Sequence, residues 1–409
     1  MPFSKEGLFS WQLLNDRERK NLAILDLIRK SSSISRTEIS KITGLNIVTV
    51  SNYVNNYIDK GIVLEKGLDV SSGGRKPALV ELNSKGGYVI GVDIGPVNIC
   101  VLMTDLGIKT VAKACIPRPK SSMETVVYSA IPIIEEVINK SGISVSNIRS
   151  IGIGVSGVID EQTGTIKDTD PARGFTSVDF TMFIEQLKGK FNIRTFIGND
   201  ATCAAFGEKR LNPKADVEDM LYVYSDVGCG IVIKGEVYCG ASGSAGELQV
   251  SPNIDSREFE FVRQERSYLR PWGVDLGIAS EAKKIVDKGI GTLIVELSKG
   301  NVDNITKDVV IEAAKRNDRV ALELIENAAV NLGVRVAYLI NLFNPEVVVV
   351  GGGVERAGEL FLEPLRRTIK KLAFEEPANL VKVVPSILGE DAVCLGAASL
   401  AIREIFIEA

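Results

Sequence analysis

Hydrophobic and polar positions follow one rhythm up to about residue 60 and another from Gly87 onward. In Asp16–Lys30 the apolar residues Leu22, Ile24, Leu25, Leu27 and Ile28 fall close to helical spacing, which predicts an amphipathic helix. Ser35 followed three residues later by Glu38 is the pattern of a capped helix start, in which each side chain satisfies the other residue's free N–H. That short helix is expected to stop at Gly44, where the missing Cβ permits a sharp turn. Leu45–Asp59 resumes helical spacing. Some combination of Val48, Val50, Val54 and Ile58 is expected to supply its buried side, and Asn46, Thr49, Ser51, Asn52, Asn55 and Asn56 its polar side. Gly61–Leu64 then reads as a strand, and the polar run Ser71–Pro77, with Gly73 and Gly74, as the turn of a hairpin.

From Gly87 continuous apolar runs replace the helical pattern. Tyr88–Gly95, Ile99–Asp105 and Thr110–Ile116 read as strands at hairpin spacing. A helix over Met123–Lys140, a strand over Ile148–Val155, a helix over Phe180–Lys190 and a strand entering Thr195–Ala201 follow. A similar hairpin series restarts over Met220–Tyr238. Two lobes of like topology are expected, with a ligand-sized cleft between them.

Two helices joined by a tight turn and followed by a hairpin make a winged helix-turn-helix, expected over residues 1–82. The α/β body is expected over 83–409, with one lobe over about 87–200 plus a C-terminal helix over 390–409, and the other over about 201–389. Charge supports this division. The net charge is −4, yet residues 1–82 hold 12 Lys and Arg against 9 Asp and Glu, while the rest holds 36 against 43. A local basic excess suits phosphate contact. Candidate DNA-contacting residues are Arg36, Asn46, Thr49, Ser51, Asn52 and Asn55, with Arg75 and Lys76 at the hairpin tip. Two such modules on a near-palindromic site imply a homodimer or higher homo-oligomer.

Other classes are narrowed by absence. Histidine does not occur, which removes imidazole bases and most zinc enzymes. The six cysteines lie far apart without a CxxC pair and are expected to be buried free thiols in a reducing cytoplasm, not metal ligands. Met1–Asn15 has no long apolar run, and no stretch is apolar for the ~18 residues of a membrane span, so a cytoplasmic protein is expected. Phe3, Leu8, Phe9, Trp11 and Leu13 in that stretch are expected to pack on the body or a partner, or to form a loose tail.

Six glycine-bearing stretches add a family. They are Gly91–Gly95, Gly152–Gly157, Gly198–Ala201, Gly240–Glu247, Val350–Gly353 and Leu388–Ala397, and in this order and spacing the whole chain resembles the ROK family of repressors and sugar kinases. The resemblance implies an actin-like, ribonuclease-H-like two-lobed body behind the winged helix. It implies that Asn199 and Asp200 bind sugar, the aspartate being the proton acceptor in kinases, and that Glu247 binds sugar after a close-approaching loop. Gly157 and Ser242 join this set of ligand-binding candidates. From the residues alone, Asp200 also suits the N-cap of a helix over Ala201–Arg210, with Asn199 in the turn.

The departures from the family count as much. Leu248, Gln249 and Val250 stand where the family carries x-Gly-His, and Ser251–Trp272 lacks the cysteines of its zinc loop, so no metal and no cofactor are expected. The phosphate loops read Asp93-Ile-Gly-Pro-Val97 and Ser225–Gly230. The first places Pro96 and Val97 where kinases use glycine and threonine, and the second adds a carboxylate at Asp226. As a lone carboxylate, Asp93 is expected to order its turn. The expected function is a DNA-binding transcriptional regulator, a repressor of carbohydrate genes controlled by a sugar or polyol. A sugar kinase with an appended DNA module is the alternative.

Overall fold

Helix α1 (Asp16–Lys30) opens on a capping box formed by Asn15 and Glu18, and α2 (Arg36–Thr43) on one formed by Ser35 and Glu38. Gly44 takes a φ of 70°, and Asn46 caps α3 (Ile47–Asp59) by accepting from the Val48 and Thr49 N–H groups. Strands β1 (Ile34–Ser35), β2 (Val63–Leu68) and β3 (Ala78–Leu82) complete the wing in the order β1-β3-β2. The computed structural model describes Gly7, Phe9 and residues 14–68, 78–160, 164–170, 174–224, 228–248 and 276–409. Arg75, Lys76 and the rest of the hairpin turn lie outside these residues, as do Ser225–Val227, Ser251–Trp272, Phe3, Leu8, Trp11 and Leu13.

The buried stripe of α3 is Val50, Val54 and Tyr57, packed with Ile24, Leu25, Ile28 and Ile39. Of the four candidates for that side, Val50 and Val54 are buried, Ile58 is half-buried and Val48 is 63% exposed. At 3.6 residues per turn Val48 lies roughly 160° around the helix from Val50, so a core centred on Val50, Val54 and Tyr57 excludes it.

Two five-stranded sheets form the body. The first holds β4 (Tyr88–Ile94), β5 (Asn98–Asp105), β6 (Thr110–Pro117), β7 (Ile148–Val155) and, after the small hairpin sheet of β8 (Val158–Asp160), β9 (Thr165–Asp170) and β10 (Gly174–Asp179), strand β11 (Arg194–Asn199). Its order is β11-β7-β4-β5-β6. Phe9 extends its edge by donating to the Ile197 carbonyl and stacking on Phe196. The second sheet, ordered β14-β13-β12-β15-β16, holds β12 (Met220–Tyr224), β13 (Gly228–Ile233), β14 (Glu236–Val237), β15 (Val347–Gly351) and β16 (Lys382–Pro385).

Strand alternation sends each sheet's side chains to two cores. Ile90, Val92 and Ile94 meet the outer helices α4 (Met123–Tyr128), α5 (Ala130–Ser141) and α6 (Thr181–Phe191). Leu221, Val223, Val348 and Val350 meet the outer helices of the other lobe: α8 (Ile278–Asp287), α9 (Leu293–Leu297), α10 (Lys307–Lys315), α11 (Arg319–Phe343) and α12 (Glu359–Leu372). A short α13 (Glu375–Leu380) follows α12. The inner residues, Val89 and Leu102 on one sheet and Met220, Tyr222 and Val349 on the other, share one core with two central helices. These are α7 (Asp200–Leu211) and α14 (Ala392–Ile407).

Glycines bring these layers into main-chain contact. A Cβ on Gly91 would lie 2.0 Å from the Cys394 carbonyl oxygen, one on Gly152 2.1 Å from that of Ala397, and one on Gly396 1.8 Å from that of Cys203. Sheet, α14 and α7 therefore stack with no side chain between them at these points.

Two expectations change. The single helix over Met123–Lys140 is two, broken at Ser129, where Pro132 lacks the N–H that would bond back across the junction. The cysteines are not all free: β5 and β6 pair in a register that sets Cys100 directly opposite Cys115, and the two form a disulfide. The separation of 15 residues carries no CxxC signal because the hairpin register alone brings them together. Cys203, Cys229, Cys239 and Cys394 are free and buried.

Candidate effector cleft and nucleic-acid interface

Asn199 ends β11 and caps α7, its Oδ1 accepting from the Thr202 N–H at 3.1 Å and its Nδ2 donating to the Gly157 carbonyl at 3.2 Å. Asp200 is thus the first residue of α7 and not its cap, which corrects the cap reading. It is 4% exposed; Oδ1 accepts from the Ala201 N–H, and Oδ2 is buried without a partner among the described residues. Gly157, at φ 120°, makes the turn out of β7 beside it.

The second lobe brings Gly240–Glu247 to the same place. Cys229 N–H donates to the Gly246 carbonyl, and a Cβ on Gly246 would lie 1.9 Å from the Cys229 oxygen. Ser244 Oγ donates to the Ile159 carbonyl at 3.2 Å, tying the loop to β8, while Ser242 Oγ reaches only Ser244. Glu247 pairs through its main chain with Gly228 and is exposed.

Three carboxyls here lie above their usual range, and Asp200 helps raise the other two. Burial, then the nearby Asp200 and Asp391, pushes the Asp93 carboxyl well above the usual range. Burial pushes Asp200 up to about 6 against the hydrogen bonds it accepts. Desolvation by its surroundings, then Asp200, pushes Glu247 up to about 7, an effect that water on its open side screens in part. Asp93 is therefore not the lone turn-former expected: it lies near Asp200 and Asp391, and its Oδ1 is buried with no partner among the described residues. Among the described residues no group of three Cys, Asp or Glu side chains is arranged to hold a metal ion.

The glycine loop Gly351–Gly353 is occupied by the chain's own groups. Glu355 accepts from the Gly353 N–H at 2.7 Å, Lys307 donates to the Gly352 carbonyl, and Arg356 pairs with Asp308 and, at 3.0 Å, with Glu390. A nucleotide phosphate seeking that N–H meets a buried carboxylate instead. In the first phosphate loop Val97 is 60% exposed.

On the winged helix, Asn52 and Asn55 are exposed, and Thr49 and Ser51 are half-buried. Arg36 donates to Glu65 at 3.0 Å and to Asn55 at 3.1 Å, so it braces the wing against α3. Asn46 serves as the α3 cap.

Sequence reasoning missed the joint between winged helix and body. Asp26 of α1 accepts from Arg210 at the end of α7 (2.8 Å), and Lys30 pairs with Asp216 (2.7 Å). Arg210 is buried between Phe206 and Phe406, which pulls its guanidinium down to about 10. Asn21 donates to the Ile407 carbonyl and accepts from the Tyr57 hydroxyl, while Asn56 and Lys60 donate to the Ala409 oxygen at 2.8 and 2.7 Å. Only the odd placement of polar Asn21 amid Leu22, Ile24 and Leu25 hinted at this.

A winged helix-turn-helix joined to a two-lobed, sugar-kinase-like body is the class that the fold defines. The model of the ROK family matches residues 89–250 and 287–404, and that of the winged helix-turn-helix DNA-binding domain matches 17–63. The chain belongs to the ROK family. It is 32% identical over 395 residues to the xylose repressor of Caldicellulosiruptor bescii, covering 95% of this chain and 96% of that protein. Its fold matches a ROK family transcriptional regulator, a homologue of the E. coli MLC protein, at a TM-score of 0.74 and 20% identity, over 96% of this chain and 98% of that one. A Streptomyces griseus ROK glucokinase with bound glucose and AMPPNP superposes at 0.65 and 25% identity, over 77% of this chain and 99% of that one. No helix among the described residues is long and apolar enough to cross a membrane.

Proposed function

We propose that the protein is a sugar-responsive, DNA-binding transcriptional repressor acting in the cytoplasm as a homodimer or higher homo-oligomer. Residues 1–82 bind operator DNA and the body, 83–409, takes a sugar or polyol in the cleft. Asp200 and Glu247 accept hydrogen bonds from ligand hydroxyls, and Asn199, Gly157 and Ser242 complete the wall. One observation carries this reading: α7 begins with Asn199–Asp200 at the cleft and ends with Arg210 paired to Asp26 of the winged helix. At ~1.5 Å per residue, 12 residues span about 18 Å, so one rigid element touches both sites. A ligand that prefers one cleft geometry then biases the position of the DNA-binding unit.

The test is a mobility shift on duplex DNA selected by the full chain, titrated with a panel of pentoses, hexoses and inositols. D-xylose comes first, because it is the sugar in the name of the 32%-identical relative. Release of DNA by one sugar at concentrations that also raise Tm supports the reading. Binding unaffected by every sugar that raises Tm opposes it. Phosphoryl transfer from ATP is the competing reading, and the engaged Gly353 N–H counts against it. A coupled assay for ATP consumption over the same panel decides, with no turnover expected.

A further inference from the structure

The winged helix turns a face to solvent that its own packing does not explain. On α3, Val48, Asn52, Asn55 and Asp59 are all exposed and recur on the side opposite Val50, Val54 and Tyr57. Three of the four are polar, as a solvated face requires. Val48 is not, and at 63% exposure it gives up the stabilisation that burying an aliphatic side chain brings. The helix does not need it there for its start, because Asn46 already caps the first turn.

The first turn of the second helix in a helix-turn-helix is the part that enters the major groove. Within that groove the one apolar group on a base edge is the C5-methyl of thymine. Asn52 stands one turn beyond Val48 on the same stripe and makes no hydrogen bond to a described residue. Its amide is free for the bidentate pair that asparagine forms with adenine N6 and N7. Asn55, the next on the stripe, is held by Arg36. Ile47 is also exposed, but it sits about 100° around the helix from Val48 and off that stripe.

We propose that Val48 is a specificity-determining residue that reads a thymine methyl in each operator half-site, with Asn52 on an adenine beside it. The proposal rests on the reading of the chain as a DNA-binding regulator. Loss of the methyl leaves Watson–Crick pairing and the thymine O4 acceptor intact, so the contact can be removed from the DNA alone.

The experiment starts from duplexes selected from a random library by the full-length wild-type chain. Each thymine of the selected site is replaced in turn by uracil and the affinity measured. One uracil per half-site should weaken binding about three- to tenfold, the range expected for one buried methyl contact. Val48→Ala, whose exposed side chain leaves Tm unchanged, should bind the thymine site more weakly by a similar factor and be indifferent to that uracil. Wild type that tolerates uracil at every position overturns the proposal, as does Val48→Ala that still separates thymine from uracil. The uracil scan on wild type stands without any variant. Failure to enrich any sequence is a different result, and removes the DNA-binding reading itself.

Discussion

The two ends of α7 are built on opposite principles. At one end, Asp200 and its neighbour Asp93 are buried with one carboxyl oxygen each lacking a partner among the described residues. At the far end, the charge of the buried Arg210 is paired with Asp26 through one Nη and flanked by two aromatic rings, while its Nε has no hydrogen-bond partner among the described residues. Unpaired buried carboxyls are costly, and a fold keeps them where a ligand supplies what is missing. A paired, packed cation does the reverse, fixing a joint. On the proposed reading, one end receives the ligand and the other transmits.

The largest expected effect breaks the receiving end. Asp200→Asn should weaken effector binding roughly tenfold to a hundredfold, because a charge-assisted acceptor becomes a neutral amide. Asn199 holds the cap, so folding and DNA affinity should survive. Calorimetric titration with the effector checks this, and wild-type affinity would show that the cleft assignment is wrong.

Breaking the transmitting end comes next. Asp26→Asn leaves a buried guanidinium without its anion and should cost about 2 kcal/mol, less than for a fully buried pair because Asp26 is part-exposed. Arg210→Met should recover most of that loss by packing between Phe206 and Phe406. Both variants should bind effector normally yet release DNA poorly in its presence. An Arg210→Met protein with wild-type release would mean that coupling bypasses this joint.

The most gradual effect sharpens the contrast through pH. Asp200 and Glu247 hold protons up to about 6 and about 7 in the folded chain. Their folded values lie above the unfolded ones, so they stabilise the ligand-free fold fully below about pH 4 and lose that contribution as pH rises toward 7. The change should be a few kcal/mol over this window, and Asp200→Asn should reduce it, leaving the part due to Glu247. Denaturation at a series of pH values measures both. Effector affinity should move the other way, rising through the same window as the carboxylates ionise, and a flat affinity profile would separate the carboxyls from the ligand.

Most of the fold was legible because local rules act over a few residues. Ser35 and Glu38 announced a helix start, Gly44 a turn, and the apolar runs from Tyr88 onward a buried sheet. The order of glycine stretches carried the cleft residues to one place. What was not legible depends on pairing at a distance. Val48 lies outside and Tyr57, which the pattern assigns to neither side, lies inside, because the side of α3 that faces the core is set by α1 and α2, not by α3 alone. Cys100 and Cys115 met only through a strand register. Asp26 and Arg210 are separated by 184 residues, and nothing near either one points to the other.

The glycine contacts that stack α14 between the first sheet and α7 have a consequence for how such a cleft diversifies. Where side chains separate two layers, a change of side chain alters the gap, and neighbours repack to absorb it. Here part of the gap is gauged by carbonyl oxygens against Gly91, Gly152 and Gly396, which no substitution can shorten and any added carbon would wedge open. The spacing of these layers is thus partly a property of the main chain, while on the proposed reading the side chains that meet the ligand, Ser242 and Glu247 among them, are free to vary. A lineage can exchange one sugar for another at these side chains without retooling the frame that spaces the layers.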